Sequence, residues 1–362
     1  MKKGVRIILA LVLAAVIGLG GFAIYKSTQG ISYDISSVRK MQNDIEFVSE
    51  TEDSVTVKKT SSDEFKVLMF TDTHLNGKKE KDNKTVTYIV ENIYEQKPDL
   101  VIFAGDNVSS GFNKKRTTEL AELMENLGVY WAAVLGNHEG EGIFAVSREE
   151  NVEIFSSFSY CLMRKGKNDV DGNGNYTVNI LNADNTLREV FFFMDTGSYM
   201  TDESKAEYDV TDDGEVYDGV KTSQVQWYKD KHDALTAEYG DFKSVTVVHI
   251  PPYQTEKEYG NDDFLYGEKR EGVCESGFDS GLIDAMKEKG SAQAVYFGHD
   301  HVNNFGVMYD DIILSYIQPS GYGVYNMETK FDSPENEWIQ GATLLKIKTD
   351  GTYTAERIYN HK

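Results

Sequence analysis

The sequence predicts an α/β domain in which helices cover a sheet of parallel strands. Short apolar runs at 67–70, 100–103 and 129–134 have the length and composition of buried strands. Between them, residues 85–95 and 117–127 place apolar side chains at helical spacing on one face. The resulting βαβαβ order requires crossover connections, which bring the strands into a parallel sheet with helices packed against it.

The rest of the chain contains more predicted strands. Residues 176–181 and 190–194 have the pattern of a meander, whereas the acidic stretch 200–218 has no periodicity and is predicted to be a solvated loop. The remaining predicted elements are a helix over 223–237, a strand over 245–248, a helix from its N-cap Ser280 to Lys289 that ends at Gly290, a strand over 293–297 and a hairpin over 343–359. No change in composition divides residues 61–362, so we expect them to form one domain.

The N-terminus is predicted to contain a membrane segment. Three basic residues precede an uncharged run over 7–25, which is long enough to cross the hydrocarbon core of a bilayer. No clear cleavage site ends this run, so residues 1–25 are predicted to be a signal anchor, with a cleaved signal peptide as the alternative. The basic flank predicts that the rest of the chain lies outside the cytoplasm, either anchored by a single pass or secreted. Residues 26–60 are mixed and polar, and are predicted to form a linker and edge structure with a strand at 54–57.

The charge of the chain excludes several classes of partner. It has 37 Lys and Arg residues against 59 Asp and Glu residues, a formal net charge of -22. Because this charge repels a nucleic-acid backbone, we expect no nucleic-acid binding. A small anion is acceptable only where a metal ion or a local basic group reverses the field. Two cysteines are too few for a disulfide scaffold, and whether Cys161 and Cys274 pair is left open by the sequence.

Polar clusters with metal-ligand side chains follow five of the predicted strands. They are Asp72 to His74, Gly105 to Asn107, Gly136 to Glu139, His249, and Gly298 to His301. Because ligands bind at the carboxyl ends of strands in α/β sheets, these clusters are expected to meet in one crevice. Five of the seven histidines lie in the clusters, and the other two, His232 and His361, are predicted to be exposed to solvent. Each cluster alone is common in turns, but their joint occurrence indicates a metal centre.

The order and content of these clusters resemble the calcineurin-like metallophosphoesterase superfamily, and more closely its purple-acid-phosphatase-like branch. Residues 193–197, 249–251 and 321–323 also resemble that branch. The resemblance extends from about residue 65 to the C-terminal hairpin. It implies two facing mixed β-sheets flanked by α-helices, an αββα sandwich.

The resemblance also implies two bound transition-metal ions, Mn, Fe or Zn, and a role for each ligand. The implied ligands are Asp72, His74 and His301 for the first ion, Asn137, His249 and His299 for the second, and Asp106 as a bridge between them. His138 would not bind metal but would face the substrate as a general acid. The paired ions would lower the pKa of a bound water, and the resulting hydroxide would attack phosphorus in line.

The implied function is hydrolysis of a small phosphoric ester outside the cytoplasmic membrane, with phosphomonoesters favoured. A phosphodiesterase of the same fold and a catalytically silent surface-binding module are the alternatives. True purple acid phosphatases have a metal-bound tyrosine where this chain has Ser109 and a glycine where it has His74, so the resemblance is to the non-purple relatives. The expected partners are the substrate and, through the N-terminal segment, the membrane; no protein partner is predicted.

Overall fold

A computed structural model describes most of the chain. The described residues are 21–22, 25–26, 28–61, 63–142, 144–260 and 263–360. Apart from residues 21, 22 and 25, the apolar run predicted over 7–25 lies outside them. Within the described ranges, no helix combines the length and the apolar character needed to cross a membrane.

Strands and helices follow one another in a mixed order along the described chain. The strands are β1 (Ile45–Thr51), β2 (Ser54–Lys59), β3 (Phe65–Phe70), β4 (Leu100–Ala104), β5 (Tyr130–Val134), β6 (Tyr176–Leu181), β7 (Leu187–Phe193), β8 (Ser244–Val247), β9 (Phe264–Tyr266), β10 (Ala292–Phe297), β11 (Gly306–Tyr309), β12 (Ile312–Tyr316), β13 (Gly341–Ile347) and β14 (Tyr353–Tyr359). The helices include α1 (Lys79–Gln96), α2 (Lys114–Leu127), α3 (Arg148–Ser156), α4 (Asp202–Glu207), α5 (Thr222–Tyr239), α6 (Leu282–Lys289) and α7 (Met327–Phe331).

The described strands form two mixed sheets. The nine-stranded sheet has the order β1-β2-β6-β7-β8-β10-β12-β11-β9, and the five-stranded sheet has the order β14-β13-β3-β4-β5. β3, β4 and β5 are parallel and are connected through α1 and α2, so the predicted βαβαβ unit is confirmed. β6 and β7 form the predicted meander, and β13 and β14 form the predicted hairpin.

The two sheets face each other across one hydrophobic core. This core contains Phe103 and Leu344 from the five-stranded sheet together with Tyr176 and Val245 from the nine-stranded sheet. The Tyr176 hydroxyl donates a hydrogen bond to the carbonyl oxygen of Ala133 at 2.8 Å and so joins the sheets directly. Apolar faces of α1 and α2 contribute to the same core, whereas α5 and α6 pack on a second core with the nine-stranded sheet.

Two local predictions differ from the structure. α6 begins one residue later than predicted, because Gly281 with a φ of 79° is its N-cap in place of Ser280. The segment 200–218, predicted to be a loop, contains the short helix α4. The Thr201 hydroxyl caps this helix by accepting a hydrogen bond from the Ser204 amide at 3.1 Å, which stabilises a helix without an apolar stripe.

His232 was predicted to be exposed, but it is buried. The inner face of α5 contains Tyr228, His232 and Leu235 at helical spacing, so a polar residue occupies a core-facing position. Its ring packs against that of Phe242 with the centroids 4.9 Å apart. The other histidine predicted to be exposed, His361, lies outside the described residues.

The two cysteines are free thiols rather than a disulfide. Cys161 is buried in the core between the sheets, and Cys274 is half-buried. Burial raises the pKa of each thiol to about 12, so both remain protonated and unreactive at neutral pH.

Candidate metal centre

Donor atoms from separate strand ends form two groups that share one carboxylate. One group consists of Asp72, His74, Asp106 and His301, and the other of Asp106, His249 and His299. Within each group, one ligand atom per residue lies within 4.8 Å of all the others. These groups bring together six of the seven residues that the sequence analysis assigned to metal binding.

Asp106 lies between the two groups. Its Oδ2 atom is 3.2 Å from Nε2 of His74 and 3.3 Å from Nε2 of His249. On the first side, Nε2 of His74 is 3.1 Å from Nε2 of His301. On the second side, Oδ1 of Asn137 is 3.2 Å from Nε2 of His249, so the seventh predicted ligand also lies at this centre.

The backbone at this centre is strained. Asp72, His74, Asp106 and His299 have φ values of 53°, 40°, 49° and 78°, in the left-handed region. Such a conformation costs roughly 1–3 kcal/mol per non-glycine residue, so the surrounding structure must hold it in place. Close packing leaves no space for a side chain at Gly136, where a Cβ atom would lie 2.2 Å from Oδ1 of Asp106.

Glu139 connects the loops that follow β4 and β5. Its buried carboxylate accepts backbone N–H groups of Gly136, Asp106, Asn107 and Val108 at 2.8, 3.1, 2.5 and 3.1 Å. In the sequence, this residue is one member of a polar cluster and had no predicted role. Its carboxylate fixes the loop that positions Asp106, the carboxylate shared by the two groups.

Replacing Glu139 by alanine should destabilise the fold and weaken both metal sites. The change leaves at least three buried N–H groups without their acceptor, which should lower the free energy of unfolding by about 3 kcal/mol or more. Denaturant unfolding and metal titration measure the two effects. Glu149→Ala, an exposed glutamate on α3, is the matched control and should change neither. Normal metal affinity in Glu139→Ala would contradict the positioning role.

Two of the histidines are oriented by backbone carbonyl groups. Nδ1 of His249 donates to the carbonyl oxygen of Ala104 at 2.9 Å, and Nδ1 of His301 donates to that of Tyr325 at 3.2 Å. Because a carbonyl oxygen only accepts, Nδ1 of each ring carries a proton. The Nε2 lone pairs are then directed toward the centre, as in metal-binding histidines generally.

The electrostatics of the centre suit a cation. Burial opposes a charge on Asp106, but His249 and His74 outweigh it and hold the pKa of its carboxyl well below its usual range. Burial lowers the pKa of His299 to about 3 and that of His301 well below its usual value, so both rings are neutral. Burial also opposes a charge on His249, but Asp106 raises its pKa to about 9. A bound cation would take the place of that proton.

One unsatisfied side chain supports the same conclusion. His299 is 7% exposed, and within the described part of the chain neither of its ring nitrogens has a hydrogen-bond partner. A buried polar group without a partner is costly, and a metal ion would remove that cost. Imidazoles around a shared carboxylate, with an amide oxygen beside them, are donors that fit Mn, Fe or Zn.

His138 differs from the other histidines of the centre. Its backbone N–H donates to Oδ1 of Asp106 at 2.9 Å, but its ring nitrogen Nε2 is 4.0 Å from Oδ2 of the same residue. The side chain is 33% exposed, whereas the ring of His74 is buried. Nδ1 of His138 contacts the carboxylate of Glu141. The ring therefore lies at the opening of the centre, outside both groups of ligand atoms.

Other supporting residues were not predicted from the sequence. Arg148 forms an ion pair with Asp195 and donates to the carbonyl oxygen of Glu139 at 3.2 Å, so it braces the loop from outside. Asp195 lies in the stretch 193–197, which resembles the purple-acid-phosphatase-like branch. This resemblance was the sequence feature that could have identified Asp195. Tyr217, whose ring touches His299 with the centroids 4.3 Å apart, lies in the stretch predicted to be a loop and had no such signal.

The family model described as calcineurin-like phosphoesterase matches residues 65–303. The chain belongs to this family. The match covers the strand ends that supply both groups of ligand atoms, from Asp72 to His301. The domain therefore has a metallophosphoesterase fold, and its strand ends hold two groups of candidate metal ligands.

Relatives of this phosphoesterase differ in their described activity. Probable inactive purple acid phosphatase 14 from Arabidopsis thaliana is 28% identical over 294 residues, covering 72% of this chain and 71% of the plant protein. Phosphatase DCR2 from Saccharomyces cerevisiae is 27% identical over 280 residues, covering 69% of this chain and 46% of the yeast protein. These relatives confirm the purple-acid-phosphatase-like branch. A dimetal phosphatase structure from Danio rerio aligns with 82% of this chain and 99% of its own at 11% identity and a TM-score of 0.48.

Proposed function

We propose that this chain is a dinuclear-metal-dependent hydrolase of phosphoric esters. The observation that supports it best is the convergence of donor atoms from separate strand ends on two sites that share Asp106. A pair of bound transition-metal ions supplies a Lewis acid for the phosphoryl oxygens and an activated water. A catalytically silent binding module would not need the strained backbone of this centre. Nor would it need buried histidine ring nitrogens that lack a hydrogen-bond partner.

The protein side chains divide the remaining tasks. Asp106, as a carboxylate with a lowered pKa, offsets part of the positive charge of the pair. Imidazoles held by backbone carbonyl groups fix the positions of the ions and so the alignment of the phosphoryl group. His138, at the opening, donates a proton to the departing alcohol oxygen. Its pKa is raised because Asp106 and Glu141 outweigh the effect of burial, so its protonated form is favoured.

Phosphomonoesters are the proposed substrates, and phosphodiesters are the second candidate. One observation favours phosphodiesters. In the described ranges, every ion pair of Asp72 and Asp106 is with a histidine. Neither carboxylate is paired with a lysine or arginine among the described residues, and a diester carries one negative charge fewer than a dianionic monoester. We further propose the non-purple type, since Ser109 stands where a tyrosinate ligand would be needed.

Metal removal and substrate comparison test this proposal together. Full-length protein treated with a chelator should lose turnover of 4-nitrophenyl phosphate, and Mn, Zn or Fe should restore it at about two ions per chain. Turnover of bis(4-nitrophenyl) phosphate, measured under the same conditions, shows whether the protein hydrolyses the monoester or the diester faster. Full activity in protein shown by elemental analysis to be free of metal would contradict the proposal, and so would two bound ions without turnover of either ester.

We also propose that the domain is anchored outside the cytoplasmic membrane through residues 7–25. The described segment after this run supports a short connection, because Ile31 is buried and Arg116 donates to the carbonyl oxygen of Gln29 at 3.2 Å. The chain is thus attached to the domain surface within a few residues of the predicted anchor. N-terminal sequencing of native membrane-bound protein should find an uncleaved N-terminus; a start near residue 26 would replace the anchor by a cleaved signal.

A further inference from the structure

One side of the metal centre shows how this protein holds an ammonium group. The ring of Tyr325 stacks on that of His301 with the centroids 4.3 Å apart. Nζ of Lys330 lies 4.7 Å from the centroid of the same tyrosine ring and forms an ion pair with Glu271. The Tyr325 hydroxyl donates to that carboxylate at 3.0 Å. A tyrosine face and a carboxylate together therefore bind an ammonium group beside the first metal site.

Two stacked tyrosines lie on the other side of the metal centre, next to His299. The ring edge of Tyr217 contacts His299, and Tyr199 stacks on Tyr217 with the centroids 5.1 Å apart. An antiparallel bridge joins the two tyrosines, and flanking backbone hydrogen bonds from Met200 and Asp218 hold it rigid. Tyr199 is 37% exposed, so the outer ring of this stack is accessible from solvent.

Carboxylates lie on the segments beside Tyr199, and no cation of the described residues is paired with it. The bridge between Tyr199 and Tyr217 places Glu215, two residues before Tyr217, on the segment beside Tyr199. The Ser198 hydroxyl donates to the carbonyl oxygen of Asn137 at 3.0 Å, which brings Tyr199 close to His138 and its partner Glu141. Burial raises the pKa of the Tyr199 phenol, and the charges of Glu215 and Glu141 raise it further. Among the residues that the structure describes, no lysine or arginine lies over the Tyr199 ring or pairs with Glu215. The ion pair of Glu141 is with His138. The second side thus has the tyrosine and the carboxylates of the first side without the ammonium.

We propose that Tyr199, with Glu215 and Glu141, receives a cationic group of the substrate, so that the preferred substrates are phosphate esters of amino or quaternary ammonium alcohols. This inference rests on the proposed function and specifies its substrate class. The cation lies over the aromatic face, and the carboxylates balance its charge. A zwitterionic ester is also less strongly repelled than a dianionic one by a protein of net charge -22.

The reaction remains a hydrolysis that consumes one water. The water oxygen forms a bond to phosphorus while the bond between phosphorus and the alcohol oxygen breaks. The departing oxygen takes a proton from His138, and the water gives up its protons to the solvent and to the phosphate formed. The products are inorganic phosphate and the cationic alcohol, which leaves from the side of Tyr199.

A pair of substrates of equal shape tests the inference. Phosphocholine and 3,3-dimethylbutyl phosphate differ mainly in that nitrogen with its charge replaces carbon. The metal-loaded full-length protein should favour phosphocholine about tenfold in kcat/KM, and Tyr199→Leu should reduce this ratio to about twofold or less. Tyr199→Phe keeps the ring and should keep the ratio. The ratio is compared at matched metal content, so a general loss of turnover in a variant affects both esters equally and cancels.

Two further variants and a binding measurement complete the test. Glu215→Gln, a change of an exposed side chain, should lower the ratio about threefold. Tyr309→Leu is the control, since β11 ends there at the turn before β12, opposite the strand ends that hold the ligands. Choline binding to metal-free protein, measured by calorimetry, should weaken at least about fivefold in Tyr199→Leu.

The outcomes separate this inference from the proposed function. A ratio near one in the unmodified protein, with two bound ions and normal turnover of 4-nitrophenyl phosphate, overturns the substrate class alone. A ratio that Tyr199→Leu leaves unchanged overturns the assignment to this tyrosine. If no ester is hydrolysed, the proposed function fails, and choline binding then decides: binding that depends on Tyr199 supports the cation site, and its absence overturns it.

Discussion

Replacing Asp106 by asparagine should remove turnover and leave both metal sites poorly occupied. Its Oδ2 atom lies 3.2 Å and 3.3 Å from the imidazoles of the two ligand groups, and among the described residues Asp106 alone belongs to both. Loss of the carboxylate charge removes the anion that would offset the positive charge of the two metal ions. We expect a decrease in kcat/KM of at least about 10³-fold, since each ion contributes several kcal/mol of transition-state stabilisation.

Asparagine is a better test at this position than alanine. Asp106 has a φ of 49°, which asparagine tolerates more readily than alanine, so strain is not added to the loss of charge. Asn137→Ala is the comparison variant, because it removes a ligand from the second group only and should reduce occupancy there while the first ion remains. Elemental analysis of both variants measures the difference. Two fully occupied sites in Asp106→Asn would contradict a bridging role.

Replacing His138 by alanine should reduce turnover in a manner that depends on the leaving group. An alkoxide needs a proton as it departs, whereas a nitrophenolate is stable without one. General acid catalysis contributes roughly 10²–10⁴ in rate, so kcat for an alkyl phosphate should fall by that factor and kcat for 4-nitrophenyl phosphate far less. The contact between His138 and Asp106 is made by the backbone N–H, so the metal centre should survive the change.

Metal content at matched loading is the control for this variant. If His138 only positions the substrate or orders the metal shell, both esters should lose turnover to a similar extent. An equal loss would therefore remove His138 from the acid role and assign the proton to solvent or another group. The exposed position of the ring and its contact with Glu141 favour the first outcome.

Elements whose stability is local were predictable from the sequence. α2 ends at Gly128, which has a φ of 66° and closes the helix with hydrogen bonds to Met124 and Glu125, as its place after the apolar stripe indicated. β1 and β9 were not predicted, because both are exposed at sheet edges and lack a buried face. β9 exists through pairing with Gly306 and Val307, which are distant in sequence.

The same distinction applies to the site. The metal ligands were predictable because they are residues of uncommon type that directly follow predicted strands. The local sequence is therefore sufficient to identify them. Tyr199 and Tyr217 were not predictable as residues beside the metal centre. Their position depends on a β-bridge between two loop segments and on the contact of Tyr217 with His299. Glu139 was visible only as one member of a polar cluster, and its four backbone partners come from two loops.

The division of the ligand-bearing strand ends between the two sheets predicts that metal supply affects protein abundance. Strands β3, β4 and β5 belong to one sheet, and β8 and β10 belong to the other, so each proposed ion is held by both layers. An ion that binds only the folded chain at 1,000 times its Kd adds about 4 kcal/mol to stability. Cells starved of the metal would then hold a sandwich whose layers separate more often. Proteases act on such opened chains, so scarcity would decrease the number of enzyme molecules as well as the activity of each.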